Sequence, residues 1–147
     1  MPSYDGRFRA RPFGGRQFDT VPGLSLALAA EPIVIDAGAT LRDGSLLEFT
    51  VRVPTVEVAV ALKAYAYSSR LQDRDVEDVY RLLEITDAYP ATEIGGWKLH
   101  DSALIASRRD AAAHLHALAR QTRRLRSADV PAARLAALIA AHVARPT

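Results

Sequence analysis

Hydrophobic and polar positions follow two rhythms along this chain. From Leu46 to Val53 the run LLEFTVRV sets Leu47, Phe49, Val51 and Val53 against Glu48, Thr50 and Arg52. That period of two predicts a half-buried strand. Upstream, Pro32 to Ala37 (PIVIDA) is rich in β-branched residues, and Gly38 and Asp43-Gly44 supply turn chemistry between the two runs. An antiparallel hairpin is therefore expected. Gln17 to Val21 reads as a further short strand. Pro22-Gly23 then makes a turn into one or two helical turns carrying Leu24, Leu26 and Leu28.

After Pro54 the rhythm lengthens to that of helices. Thr55 is placed as an N-cap with Glu57 in the favourable first turn, and the helix runs to about Arg70. Asp73 is expected to cap the next helix, whose stripe is Val76, Val79, Tyr80, Leu83 and Ile85 and which Pro90 stops. A long helix is predicted from Asp101 or Ser102 to about Arg126, and a last one over Val130 to Val143, opened by Asp129 and Pro131. The sum is an α+β chain, a small antiparallel or mixed half-sheet followed by a helical bundle. The reading divides one domain, 1–147, into an irregular Arg-rich arm (1–16), a small sheet (17–54), a helix pair with Lys63 and RDVED (55–90) and C-terminal helices (91–147).

Composition narrows the class without naming a function. The 147 residues are 49% hydrophobic, and a domain of that size buries about 68–70% of its unfolded surface, enough to need no covalent staple. With no cysteine, disulfides, zinc ribbons, iron–sulfur clusters and thiol nucleophiles are excluded. The N-terminus is too polar for a signal peptide, and no apolar run approaches the roughly 18–20 residues of a membrane span. A soluble cytoplasmic protein without membrane association is expected. Nineteen basic residues against seventeen acidic ones leave a net charge of +2, too little to mark a nucleic-acid binder.

Three groups of residues are candidates for chemistry. His114 and His116 point about 200° apart on a helix, His100 and His142 stand apart from them, and no HExxH occurs, so no metal site is expected. Arg120, Arg123, Arg124 and Arg126 lie within two helical turns. They form either a solvated helix face or a patch for a phosphate backbone such as RNA. Lys63 lies with Tyr67 and Arg70 on one stripe of an otherwise apolar helix, where a lysine either snorkels to water or meets an anion. On the next helix Asp75 and Asp78 share a face, and Arg74 is spaced to pair with Asp78. Antiparallel packing would bring Lys63 and Arg70 against those carboxylates, either as an inter-helix ion network or as an anion-binding position held in orientation from behind.

The run VRVPTVEVAVALKAYAYSSRLQDRDVEDVYRLLEI, with Val53-Pro54, Lys63-Ala64, Arg70, Arg74-Asp75, Asp78, Tyr80 and Leu82-Leu83-Glu84 in register, resembles the C-terminal portion of nucleotidyltransferase-like proteins of the AbiEii/AbiGii toxin type, in their actinobacterial variety. TVPGLSLALAAEPIVIDAGATLRDGS is similar to the element and hairpin preceding it. The likeness covers about residues 4–90. It implies a nucleotidyltransferase half-sheet packed on helices, toxin–antitoxin context, and nucleotide transfer from an NTP by two metal ions held on acidic residues. It assigns Lys63 and Arg70 to nucleotide phosphate, with Arg74, Asp75 and Asp78 in support.

The chain departs from that pattern where catalysis would sit. Its only Gly-Ser is Gly44-Ser45, no paired carboxylates follow, and Asp36 and Glu48 are single acids on strands. No catalytic or metal-binding residue is assigned. Three readings are open: a truncated or degenerate nucleotidyltransferase-like protein, non-catalytic alone, with a nucleotide held by Lys63 or none; one half of a split nucleotidyltransferase completed by a partner chain, the only case in which Mg2+ and NTP enter; or a nucleic-acid or protein interaction module using Arg120–Arg126. A homodimer, or a partner chain covering the sheet, is expected.

Overall fold

The computed structural model describes residues 9–20, 22–121 and 129–146. Strands β1 (Arg9–Phe13) and β2 (Arg16–Thr20) form one antiparallel pair, and helix α1 (Leu24–Ala29) follows. Strands β3 (Ile33–Thr40) and β4 (Leu46–Val53) form a second pair, and helices α2 (Val56–Arg70), α3 (Asp73–Ala88), α4 (Ala106–Gln121) and α5 (Ala132–His142) complete an α+β order. Among the described residues no helix is long and apolar enough to cross a membrane.

Three expectations need correction. The segment read as an irregular arm contains β1, which pairs from Arg9↔Thr20 to Phe13↔Arg16. Gly14 and Gly15 both have positive φ, 56° and 76°, the requirement of a two-residue turn whose twist matches its strands. The sheet is accordingly two separate hairpins. The helix expected from Asp101 or Ser102 begins only at Ala106. Its first residue, Ala106, has a positive φ of 46°, so the right-handed helix does not run back through it to Asp101; further upstream Leu99 is buried and its carbonyl accepts the Ala144 N–H at 2.7 Å. Asp73, expected as a cap, is the first residue inside α3, with Gln72 at the cap position.

The core lies among the helices. Val60 and Ala64 of α2, Val76, Val79 and Leu83 of α3, Leu115 and Leu118 of α4 and Leu135, Leu138 and Ile139 of α5 meet in one cluster, joined by Ile94, Trp97 and Leu99 from the α3–α4 connection. Each helix contributes at spacings of three or four, so its apolar stripe turns inward.

The β3–β4 hairpin stands outside this core, and none of its residues is buried. The register Ile33↔Val53 to Thr40↔Leu46 sorts its side chains into two faces. Ile33, Ile35, Ala37, Ala39, Leu47, Phe49, Val51 and Val53 share one face, which is apolar throughout. Val34, Asp36, Gly38, Thr40, Leu46, Glu48, Thr50 and Arg52 share the other. On the apolar face Ile35 is 43% exposed, Leu47 49% and Phe49 42%.

Candidate functional site

The helix pair α2–α3 gathers the charged residues picked out by sequence. Leu71 closes α2 in the left-handed conformation, its N–H donating to the Tyr67 carbonyl, and the chain reverses within Leu71-Gln72. Arg70 then meets Asp75 in a two-pronged bond, Nε to Oδ2 and Nη2 to Oδ1, both 2.6 Å. Lys63 Nζ lies 2.6 Å from Asp78 Oδ2 and 3.6 Å from Asp75 Oδ1. Asp75 has no exposed side-chain surface, whereas Lys63 keeps 36% of its own. Arg74 does not join: it is exposed, and Asp78, three residues from Asp75 on the same helix face, turns across the groove to Lys63.

Two cations and two carboxylates are matched one for one. The bond from Arg70 holds the Asp75 carboxyl below its ordinary value of 3.8, against the burial that pushes it up, with Lys63 pulling the same way. A carboxyl lowered on folding contributes stability above its unfolded pKa and loses it as pH falls through the folded value. The stability difference between the native chain and Asp75→Asn is therefore expected to be constant from pH 7 to about pH 4, and to shrink below pH 4. Urea titrations at stepped pH measure it; a difference that widens on acidification would contradict this arrangement.

A second constellation was not legible as a site. Glu57, in the first turn of α2, is 3% exposed. Its Oε2 accepts the backbone N–H groups of Lys98 and Leu99, and its Oε1 accepts Arg108 Nε at 2.7 Å. Thr55 caps the same helix by accepting the Val58 N–H at 3.3 Å, while the Val56 N–H donates to the Ile94 carbonyl. A cleft of about 340 Å³ opens here, lined among others by Glu31, Glu57, Gly95, Lys98 and Arg108. Two of the α2 N-terminal amides that would attract an anion are thus already bonded, Val58 N–H to Thr55 and Val56 N–H to Ile94, and the Glu57 carboxylate stands in the same first turn. Nothing in the sequence separates Glu57 from an ordinary first-turn acid.

Three of the four histidines pack, and His100 is exposed beside Asp101. His116 donates from Nε2 to the Val143 carbonyl at 3.1 Å, and His142 Nε2 bonds Asp87 at 2.9 Å. The His114 ring stands edge-on to Tyr65 at 5.3 Å, and burial pushes its pKa down. Arg120 is exposed beside a cavity of about 460 Å³ between α4 and α5 that also meets Arg145; Arg123, Arg124 and Arg126 lie outside the described residues.

A two-metal centre does not fit the groups found among the described residues. Among the described residues no three His, Asp or Glu side chains gather to hold an ion. Asp36 and Glu48 share the polar face of the hairpin, but Asp36 Oδ1 accepts Thr50 Oγ1 at 2.8 Å. Set against protein-family models, curated proteins and solved structures, the chain finds no match.

Proposed function

We propose that this chain is a degenerate nucleotidyltransferase-like module that acts by association and does not turn over nucleotide. The observation that carries the reading is the β3–β4 hairpin: two strands with one face apolar throughout, half-buried at Ile33, Ala37, Ala39, Val51 and Val53 and open at Ile35, Leu47 and Phe49. A two-stranded sheet is marginal in water, and a contiguous exposed apolar face marks an interaction surface. Another polypeptide therefore extends or covers it.

The charged cluster supports the same reading. A phosphate approaching Lys63 meets a lysine already held by Asp78 and Asp75, and Arg70 is spent on Asp75. The cluster is electrically balanced, so it welds α2 to α3 and exerts little pull on a further anion.

Light scattering on the full chain, together with calorimetry against magnesium ATP, GTP, CTP and UTP, tests this. The expected result is a mass above that of one chain and no nucleotide heat. A monomer at every concentration overturns the association. Nucleotide heat that disappears in a folded Lys63→Ala variant overturns the rest, and assigns Lys63 and Arg70 to phosphate.

A further inference from the structure

We infer that the partner of the hairpin is a second copy of this chain, added edge to edge through β4 and centred on Thr50. The inference rests on the association reading above and specifies its occupant and register.

The hydrogen-bonding sides of the strands follow from the turn. Leu41 N–H donates to the Ser45 carbonyl and Gly44 N–H to the Leu41 carbonyl, so Leu41 faces a bonded position. Bonded and non-bonded pairs alternate in an antiparallel ladder. With Thr40 opposite Leu46 and Ala39 opposite Leu47, the odd residues of β4 bond to β3. The backbone groups of Leu46, Glu48, Thr50 and Arg52 then point to the opposite edge, where no described strand pairs with them.

That edge is self-complementary in one register. Two β4 strands related by a two-fold axis through Thr50 place Thr50 opposite its equivalent, in a bonded position. They set Glu48 opposite Arg52 of the second copy, and Arg52 opposite its Glu48. On the apolar face the same register sets Phe49 opposite Val51 and Leu47 opposite Val53. Opposite charges in directly facing positions stabilise a strand pair, and like charges oppose it. Centring on Glu48 or on Arg52 would set like charges face to face. On β3 the outward residues Val34, Asp36, Gly38 and Thr40 carry only acid, so that edge offers no such complement.

The two charges are available for this. Glu48 and Arg52 are exposed, and neither has an ion-pair or hydrogen-bond partner among the described residues. Four residues of strand hold them about 13 Å apart, too far to pair with each other. A two-fold contact closes on itself and builds no fibre. The resulting order β3–β4–β4–β3 has four strands, past the two-strand limit of marginal stability. The two copies' helices leave from opposite ends of the sheet.

The test is sedimentation velocity over a concentration series for the full chain, Glu48→Arg, and the charge swap Glu48→Arg/Arg52→Glu, with amide hydrogen exchange on the native chain. Glu48→Arg sets like charges opposite each other twice and is expected to weaken the dimer by about tenfold or more. The charge swap restores it. The amides of Glu48, Thr50 and Arg52 exchange slowly in the dimer and at the unprotected rate on dilution, whereas those of Leu47, Phe49 and Val51, bonded to β3, lose less protection on dilution. A monomeric native chain overturns this inference and the association reading together. A dimer indifferent to Glu48→Arg, or one whose Thr50 amide exchanges freely, overturns the edge pairing alone and leaves association standing. Should Glu48→Arg fail to fold, exchange at Thr50 in the native chain decides.

Discussion

Replacing Glu57 by alanine is expected to lower the unfolding free energy by about 3 kcal/mol, or roughly 10 °C in melting temperature. The carboxylate is the acceptor for the Lys98 and Leu99 N–H groups and for Arg108 Nε. Alanine leaves two backbone donors without a partner, and a buried orphan donor costs about 1–3 kcal/mol. Arg108, with 28% of its side chain exposed, regains water and adds less. Glu57→Gln keeps one carbonyl oxygen in place and is expected to cost about half as much. Urea unfolding at pH 7 measures both. A loss below about 0.5 kcal/mol for the alanine variant, the size of an ordinary surface change, would mean that these bonds do not hold the α3–α4 connection to α2.

The neighbouring glycines give the second large effect. Gly95 has φ +83°, and a Cβ there would lie 2.6 Å from Thr55 Cγ2 and 2.9 Å from Thr55 Cβ. Gly96 has φ +89° with nothing within 4 Å of such an atom. Both alanine variants bear the left-handed cost of about 1–2 kcal/mol, but only Gly95→Ala adds overpacking, of similar size. A total near 3 kcal/mol is expected for Gly95→Ala, and about half of that for Gly96→Ala. Thr55→Ser removes the Cγ2 and keeps the hydroxyl that caps α2, so Thr55→Ser/Gly95→Ala is expected to recover part of the loss, a non-additivity that a double-mutant cycle reads directly. Equal losses for the two glycines would show that the close approach to Thr55 is absent in solution.

Local rules carried most of the fold. The alternation in Leu46 to Val53, the Thr55 cap, the end of α2 at Arg70 and the meeting of Lys63 with Asp78 each follow from spacing within a few residues or across one short connection. What the sequence hid depends on distant partners. The carboxylate of Glu57 reaches groups 41, 42 and 51 residues away, and its neighbours along the chain give no sign of them. The late start of α4 was hidden too, because nothing beside Ala106 along the chain announces its left-handed backbone. Strand β1 was obscured differently: arginines and a proline disguise an extended segment that the two glycines after it make pairable.

The chain's single tryptophan has a diagnostic use. Trp97 is 8% exposed, donates from Nε1 to the His142 carbonyl at 2.7 Å, and stands edge-on to the His142 ring at 6.5 Å. Its emission therefore reports whether the final helix is seated on the α3–α4 connection. The hairpin has no such chromophore, and Phe49 is a weak one. Intrinsic fluorescence will record a single clean transition of the helices whether or not the strands have already come apart, and agreement between that signal and a backbone probe, rather than either curve alone, would establish that the molecule melts as one unit.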